Sequence, residues 1–328
     1  MPPPVVEPAA GVPVFADIRA AAIRIAPHIQ RTPLLRSRRL SRELGTAVWF
    51  KCENFQSAGA FKSRGACNAV FSLPAAVAAA GVVTHSSGNH AAALARAARR
   101  RGLAAYVVMP RNASVVKRQA VIGYGAEVID CEPTLAAREQ GAAAVIARTG
   151  ATLVHPYDDP AVIAGQGTAL LELAGAAFEP ELVLAPVGGG GLLSGTALTA
   201  RALWPRARVV GAEPAAADDA ARGFASGRRE RVGDPRTIAD GLRGELSERT
   251  FGLLRTHVDD IVTVSEEGIV AAMRLVWHTL KIVIEPSAAV PVAALLERRV
   301  QTGPGPTVVV LSGGNVDLDA LPWLQAKC

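Results

Sequence analysis

The chain has 328 residues, which is long enough for two domains with a substantial buried core. Half of its residues are hydrophobic and a fifth are charged, a balance typical of globular proteins that excludes an intrinsically disordered chain. The net charge of +6 is modest, and its densest basic cluster, residues 96–101, ends an alanine-rich helix without interleaved aromatic residues, so we expect no nucleic-acid partner.

Short apolar runs alternate with helical runs along most of the chain. The predicted strands are, in order, 48–52, 81–84, 105–109, 127–131, 152–155, 182–186, 209–213, 261–264 and 307–311. The predicted helices are 18–25, 65–71, 89–101, 115–123 and 136–149, with others starting at 161, 192, 266 and 286. This alternation predicts an α/β fold of two doubly wound open-sheet lobes, with parallel strands covered by helices.

Neither the cysteines nor the apolar runs indicate an exported or membrane protein. The four cysteines lack CxxC or metal-ligand spacing, as expected for free thiols in a reducing cytoplasm. Residues 1–4 lack the features of a signal peptide. The uncharged run 182–200 contains Pro186 and a block of glycines, which favours a strand–loop–helix unit over a membrane span. We therefore expect a soluble cytoplasmic protein without a membrane partner.

Lys62 is the residue around which the sequence is best interpreted. It follows a Gly-Ala-Phe turn and precedes a helical run. A lysine at such a junction, beside Phe61, is partly desolvated, which lowers the pKa of its amine and allows an imine with a carbonyl compound. Because most lysines are solvated surface charges, this interpretation needs partners elsewhere in the chain.

Three unusual loops follow predicted strands, where open α/β sheets bind ligands. The loop 85–90, His-Ser-Ser-Gly-Asn-His, opens a helix whose amides suit a carboxylate, although an ordinary helix cap also explains it. Four glycines at 188–191 allow backbone N–H groups to converge on a phosphate. Ser312 is a lone hydroxyl after the last strand. A reactive lysine with these three loops describes a pyridoxal-phosphate site.

The chain resembles the fold-type II pyridoxal-phosphate enzymes (tryptophan synthase beta-like), in the serine racemase and serine/threonine dehydratase branch. The resemblance covers about residues 32–318 and rests on six ordered motifs: GAFKSRG at 59–65, SSGNH at 86–90, AGQGT at 164–168, GGGG at 188–191, TIADG at 237–241 and SGGN at 312–315. It implies a cofactor cleft between a large domain, residues 1–80 and 156–328, and a small mobile domain, residues 81–155, inserted in it. It also implies a homodimer that acts on a small amino-acid substrate.

By this resemblance, Lys62 holds pyridoxal 5'-phosphate as an imine and later removes the substrate α-proton. The other expected cofactor contacts are Phe61, Asn89, Gly188, Gly189, Gly190, Gly191 and Ser312. Phe61 would pack on the ring, Asn89 would bond the 3-oxygen, and the glycines would hold the phosphate. Ser312 would face the ring nitrogen, which a serine cannot keep protonated as a carboxylate would. The resulting weaker electron sink suits β-elimination better than transamination.

The resemblance also implies how the substrate is bound. The expected contacts are Ser86, Ser87 and His90 for the substrate carboxylate, with Arg138 matching a substrate-side arginine of the racemase branch. In serine racemases the serine that matches Ser87 lies on the cofactor face opposite the lysine and exchanges a proton there. Ser87 therefore permits racemisation, but the dehydratases share this loop, and both activities stay open.

A divalent-cation site is also implied. Glu213 and Asp219, with the carbonyl of Ala217, match the site of the metal-dependent racemase/dehydratase branch. Two carboxylates, a carbonyl and waters form a hard oxygen shell suited to Mg²⁺, Ca²⁺ or Mn²⁺. The alternative is a solvated acidic turn.

The expected activity is β-elimination from a β-hydroxy amino acid such as L-serine or L-threonine, giving a 2-oxo acid and ammonia, with serine racemisation open. Gly244 stands where a serine often helps hold the substrate, with Arg243 beside it, so a 3-hydroxyaspartate dehydratase or racemase is an alternative. A more distant alternative is a β-replacement synthase of the cysteine synthase type, against which the 86–90 loop and the acidic turn argue. A non-catalytic pyridoxal-phosphate carrier is disfavoured because no motif member is missing.

Overall fold

The computed structural model of the protein describes residues 11–86 and 88–324. The helices in this part are α1 Phe15–Ile25, α2 Arg38–Leu44, α3 Lys62–Ser72, α4 Ala75–Ala78, α5 Asn89–Arg101, α6 Val115–Gly123, α7 Leu135–Thr149, α8 Pro160–Leu171, α9 Gly191–Leu203, α10 Asp219–Ser226, α11 Glu248–His257, α12 Glu266–Leu280 and α13 Pro286–Leu296. The strands are β1 Leu34–Arg36, β2 Val48–Cys52, β3 Val82–His85, β4 Ala105–Pro110, β5 Glu127–Cys131, β6 Thr152–Leu153, β7 Leu182–Pro186, β8 Arg208–Pro214, β9 Asp260–Val264 and β10 Thr307–Leu311. None of these helices combines the length and the apolar character needed to cross a bilayer.

The strands form two sheets. The larger has the order β1-β2-β10-β7-β8-β9, and all its neighbours are parallel except the edge pair β1 and β2. The smaller, β5-β4-β3-β6, is entirely parallel. Parallel neighbours require crossover connections, which the intervening helices supply. The predicted α/β fold with two open sheets is confirmed, and the antiparallel edge β1 is its one departure from a purely parallel design.

Both faces of the larger sheet are covered. Alternate residues of β7 point to opposite sides, so Leu182 and Leu184 pack with α12 and α13, whereas Val183 and Ala185 pack with α9 and α11. A strand buried on both faces is apolar at every position, which explains the continuous apolar run in the sequence. The glycine loop that follows β7 is therefore attached to one of the most buried strands of the protein.

Several predicted element boundaries were correct. The predictions 48–52, 127–131, 182–186 and 307–311 for strands, and 89–101 and 115–123 for helices, match the observed bounds. Helices α2, α4, α10 and α11 were not predicted. Strand β6 is shorter than predicted, because after Leu153 the chain turns so that His155 Nδ1 accepts a hydrogen bond from the amide of Asp158 at 2.9 Å.

Buried ion pairs fix helix α3, which begins at Lys62. Arg64 and Glu53 are both fully buried, and Arg64 Nε lies 2.7 Å from Glu53 Oε2. Arg64 Nη1 also bonds Glu172 Oε1 at 2.7 Å, and Lys51 bonds the other oxygen of Glu172. Two positive and two negative side chains thus compensate one another away from water. Because a desolvated charge is tolerated only when paired, this network ties α3 to β2 and α8.

Candidate active site

The amine of Lys62 lies at the junction of the two sheets. Its Nζ donates a hydrogen bond to the carbonyl oxygen of Pro156 at 2.7 Å and lies 5.1 Å from the centre of the Phe61 ring. Burial of the amine lowers its pKa to about 8, although the charge of Glu285 opposes this shift. Near neutral pH such an amine is uncharged far more often than an ordinary lysine, as bonding to a carbonyl group requires.

The lysine loop is joined to the loop after β10. The amide of Phe61 donates to the carbonyl of Ser312 at 3.0 Å, and Gly314 donates to the carbonyl of Gly59 at 2.9 Å. Gly59 has a φ of +71°, and a Cβ there would lie 2.1 Å from Asn315 Oδ1, so this position requires glycine. These contacts place Ser312, which is 2% exposed, beside the start of α3.

The glycine loop, residues 188–191, ends β7 and opens α9. Gly190 has a φ of +84°, and a Cβ on Gly189 would lie 2.4 Å from the ring of Tyr157. Within the described ranges, no protein group accepts a hydrogen bond from the amides of these four glycines. Unpaired N–H groups at a helix start suit an anion such as phosphate.

The serine loop lies between β3 and α5. Ser86 is half-buried, and its Oγ accepts a hydrogen bond from the amide of Gly88 at 3.3 Å. Asn89 is bonded on both sides of its amide, donating from Nδ2 to Glu285 Oε1 at 2.7 Å and accepting at Oδ1 from Asn315 at 3.0 Å. Ser87 lies outside the described residues.

His90 and Arg138 differ in their burial and in their hydrogen bonds to the rest of the protein. His90 is 2% exposed, its Nε2 bonds the carbonyl of Val154 at 3.2 Å, and burial lowers its pKa well below the ordinary value. Arg138 is half-buried, and its Nε has no partner in residues 11–86 and 88–324. Burial lowers the pKa of His85, and the positive charge of Arg138 lowers it further. Arg138 thus keeps a donor free, whereas His90 is neutral and largely enclosed.

A row of three aromatic rings in the site was not predicted from the sequence. The rings of His85, His155 and Tyr157 follow one another edge to face, with centroids 5.2 and 4.6 Å apart. His155 Nδ1 accepts hydrogen bonds from the amides of Tyr157 and Asp158, and burial lowers its pKa to about 4. His155 is therefore neutral, with its proton on Nε2. The only signal was a His-Pro-Tyr sequence at a strand end.

The candidate metal ligands lie at the end of β8 and the start of α10. Glu213 is 1% exposed and Asp219 is 4% exposed, with a 3-10 turn, Ala215–Ala217, between them. Burial raises the pKa of Glu213 to about 9 and that of Asp219 to about 6, and the charge of Asp219 adds to the effect on Glu213. Asp219 Oδ2 has no partner in the described part of the chain, which also contains no cluster of three His, Cys, Asp or Glu side chains suited to a metal. Such burial does not fit a solvated acidic turn, and the oxygen donors fit a divalent cation.

A family model described as "Pyridoxal-phosphate dependent enzyme" matches residues 25–313, which is most of the chain. The chain belongs to this family. The resemblance inferred from the sequence motifs is thereby confirmed, together with the enzymatic nature of the protein and its cofactor.

This pyridoxal-phosphate dependent enzyme is similar to relatives over nearly its whole length. It is 49% identical over 312 residues to the beta-hydroxyaspartate dehydratase of Paracoccus denitrificans (strain Pd 1222), covering 95% of this chain and 99% of that protein. It is 47% identical over 316 residues to a serine racemase of Arabidopsis thaliana, covering 95% of each. The structure of maize serine racemase matches it with a TM-score of 0.92 at 42% identity, covering 96% of this chain and 98% of that one.

The residues present fit the cofactor of the family. The desolvated amine of Lys62 suits covalent attachment, and the unpaired amides of residues 188–191 suit the phosphate. Ser312 adds a polar group after β10 of the larger sheet, and Asn89, at the start of α5, reaches the same loop through its bond to Asn315. Pyridoxal phosphate needs an amine, an anion site and polar contacts to its ring, and these segments supply all three.

Proposed function

We propose that the protein eliminates water from a β-hydroxy amino acid to give a 2-oxo acid and ammonia, with racemisation as a second activity of the same site. The observation that carries the proposal is the desolvated amine of Lys62, joined through the backbone of its loop to Ser312. Two similar proteins are named as a beta-hydroxyaspartate dehydratase and a serine racemase, which supports both activities.

Pyridoxal phosphate, when bound, supplies an electron sink for the carbanion formed at the substrate α-carbon. Lys62 would hold the cofactor, and its free amine, with a pKa of about 8, suits a base that takes the substrate α-proton near neutral pH. Phe61 would pack on the ring, and the amides of residues 188–191 would hold the phosphate. Ser312 would present a neutral hydroxyl to the ring nitrogen, which disfavours transamination. The eliminated product hydrolyses in water to the 2-oxo acid and ammonia.

The substrate carboxylate is bound at the start of α5. Ser86 and the amides that open this helix provide donors, as expected at a helix N-terminus. Ser87, whose role follows from the family resemblance alone, is proposed to return a proton to the substrate α-carbon in racemisation. His90, in the first turn of α5, ties this helix start to the carbonyl of Val154.

The charge of the site favours a substrate with a second carboxylate, such as 3-hydroxyaspartate, over L-serine and L-threonine. Arg138 has an unpartnered Nε among the described residues, and its charge acts on His85 and Tyr157. Arg243 is exposed and bonds the carbonyl of Thr237 in its own loop, so Arg138 is the better ligand for this carboxylate. A guanidinium that lacks an acidic partner suits a carboxylate of the substrate.

We also propose a divalent cation, Mg²⁺ or alternatively Ca²⁺ or Mn²⁺, on Glu213, Asp219 and the carbonyl of Ala217. Its support is the burial of two carboxylates, neither of which is bonded to a cationic side chain of residues 11–86 and 88–324. Burial and the charge of Asp158 raise the pKa of Tyr157, and the charges of Glu245 and Asp219 raise it further. The ring of Tyr157 packs on the glycine loop. A cation here would thus stabilise the phosphate end of the site.

The proposed organisation places a small domain, residues 81–155, within a large domain formed by residues 1–80 and 156–328. Its support is that β3 to β6 form a sheet of their own. Asn89 of the small unit bonds Glu285 of the large one, and Lys117 bonds Asp240 in the same way. The two units are thus in contact at the place where the small unit would close over a substrate. A homodimer in the cytoplasm is part of the same proposal and follows from the family resemblance.

A substrate panel tests the proposed function. Purified protein is given L-serine, L-threonine, D-serine and 3-hydroxyaspartate, and both 2-oxo acid and the opposite enantiomer are measured. We expect 2-oxo acid from at least one substrate and the highest kcat/KM with 3-hydroxyaspartate. Cysteine formation from O-acetylserine and sulfide, without 2-oxo acid from any hydroxy amino acid, would instead establish a β-replacement synthase.

A further inference from the structure

Three side chains from distant segments form a hydrogen-bonded chain beside the lysine loop. Asn315 Nδ2 donates to the carbonyl oxygen of Ala58 at 2.8 Å and to Asn89 Oδ1 at 3.0 Å. Asn89 Nδ2 in turn donates to Glu285 Oε1 at 2.7 Å. The chain therefore runs from the loop before α3, through the start of α5, to the residue before α13.

The backbone carbonyl of Ala58 sets the direction of every bond in this chain. A carbonyl oxygen can only accept, so the amide atom of Asn315 that faces it is the nitrogen. The same nitrogen faces Asn89, which must therefore present its oxygen to Asn315 and its nitrogen to Glu285. A flipped Asn89 would bring two N–H donors against each other at Asn315, so only one amide orientation satisfies the chain.

The backbone of the lysine loop is shaped for this arrangement. Ala58 adopts a φ of +56° in the left-handed region, which is strained for a residue with a Cβ. Gly59 follows with a φ of +71°, and a Cβ there would lie 2.1 Å from Asn315 Oδ1. A strained alanine followed by an obligatory glycine thus allows the Asn315 amide to reach both the Ala58 carbonyl and Asn89.

Glu285 ends the chain in a buried position. Its side chain is 2% exposed, and its Oε2 has no partner within the described part of the protein. Burial raises its pKa to about 7, with Asp240 adding to this shift and Lys117 and Lys62 opposing it. The amide of Glu285 donates to the carbonyl of Gly313 at 3.0 Å, which fixes the residue next to the Ser312 loop.

We propose that Glu285 and Asn315 are positioning residues that hold the Asn89 amide in one orientation and reserve its second N–H for the 3-oxygen of the cofactor. This inference rests on the proposed function, in which Asn89 contacts that oxygen. An amide nitrogen carries two N–H groups, and the bond to Glu285 uses one of them. Without Glu285 or Asn315, the Asn89 amide is free to turn its carbonyl toward the cofactor, which removes the donor.

The test is cofactor binding by the apoenzyme, measured by titration with pyridoxal phosphate and by the balance of the two absorption bands of the bound cofactor. Asn315→Asp replaces the donor with an acceptor of similar shape, and Glu285→Ala removes the acceptor. We expect each to weaken cofactor affinity roughly fivefold to tenfold, the effect of one lost hydrogen bond, and to shift the balance of the bands. Glu285→Gln keeps an acceptor and should recover most of the loss.

An Asn89→Ala background separates a positioning role from a structural one. Because Glu285 acts through Asn89, Glu285→Ala should have no further effect in that background, and Asn315→Asp, which also loses its bond to the Ala58 carbonyl, should have a smaller effect there than in the wild type. The matched control is Asn68→Ala, which removes another buried asparagine, bonded to Arg24 and to the carbonyl of Ala161, and should leave affinity and bands unchanged.

Full, independent effects in the Asn89→Ala background would overturn the proposal. So would an Asn89→Ala protein with the affinity and bands of the wild type, and in that case the proposed function would stand as long as Lys62→Ala still abolished cofactor attachment. A wild-type protein that binds no pyridoxal phosphate would contradict the proposed function itself. If Glu285→Ala fails to fold, the spectra and affinity of Asn315→Asp decide.

Discussion

Lys62 and Pro156 are 94 positions apart in the sequence, yet the amine of one lies 2.7 Å from the carbonyl oxygen of the other. Lys62 begins α3, whereas Pro156 follows β6, so the contact joins the lysine loop to the smaller sheet. It fixes the amine where burial lowers its pKa to about 8. The reactivity of this lysine is therefore a consequence of tertiary structure, and it can be measured.

The pH dependence of cofactor attachment should report this pKa. Only the uncharged amine bonds to the cofactor aldehyde, so the rate constant for reconstitution of the apoenzyme should rise with pH and level off above about 8. The reaction of Nα-acetyl-lysine, whose α-amine is blocked, with pyridoxal phosphate is the control and should rise until about pH 10.4. Stopped-flow absorbance measures both. A protein rate that still rises above roughly pH 9.5 would contradict the lowered pKa.

Gly189→Ala should damage the phosphate loop. The new Cβ would lie 2.4 Å from the ring of Tyr157, so loop or ring must move, and we expect a stability loss of about 1–3 kcal/mol together with weaker cofactor binding. Gly252→Ala is the control, because its Cβ meets nothing within 4 Å and lies inside α11, where alanine should stabilise by about 0.5–1 kcal/mol. Urea denaturation of both apoenzymes gives the comparison. Equal effects of the two substitutions would rule out the proposed packing.

Arg64→Met should strongly destabilise the fold. It leaves Glu53, which is fully buried, without its partner, and such an uncompensated charge costs about 3–5 kcal/mol. Arg39→Ala serves as the control, because the exposed pair of Arg39 and Glu43 contributes only about 0.5 kcal/mol. The free energy of unfolding in urea distinguishes them. A loss below roughly 1 kcal/mol for Arg64→Met would show that the network does not anchor α3.

Removal of divalent cations should lower the melting temperature, and Mg²⁺ should restore it. A cation at about 100 times its dissociation constant would stabilise the fold by about 2.7 kcal/mol. Glu213→Gln keeps an acceptor for the Ala221 amide but removes a carboxyl whose pKa burial raises to about 9 and which must therefore take up a proton on folding, so in chelator near neutral pH it should melt above the wild type and respond weakly to Mg²⁺. Asp234→Asn, at an exposed ion pair, is the control. A full Mg²⁺ response in Glu213→Gln would exclude Glu213 as a ligand.

Much of the fold could be predicted because local signals determine it. Strand β7 is apolar throughout and ends at a proline and four glycines, so both its bounds and the loop behind it are evident in the sequence. Helix α11, Glu248–His257, has its three large apolar residues, Phe251, Leu253 and Leu254, within four positions, so no apolar repeat from turn to turn marks it in the sequence. Its stability comes from packing against α9, which a local pattern does not encode.

The residues of the site likewise divide into those that a local sequence signal reveals and those that only the fold brings together. Lys62, the glycines at 188–191 and Ser312 were predicted because each adjoins a turn or the end of an apolar strand, and their roles stay predictions until they are tested. Glu285 was missed because its partner, Asn89, is 196 positions away. His155 was interpreted as a strand residue, and only the turn of the chain after β6 brings it to Tyr157. Contacts of this range depend on the sheet order, which local periodicity does not fix.

Release of 2-oxo acid by a Lys62→Ala protein is the most direct test of the central claim. The variant is compared with the wild type on 3-hydroxyaspartate and L-serine, both reconstituted with pyridoxal phosphate, after its melting curve has established that it is folded. Because Lys62 is proposed as both the attachment point and the base, we expect activity to fall by roughly 10²- to 10⁴-fold. A folded Lys62→Ala protein that released 2-oxo acid at a rate close to that of the wild type would contradict the account.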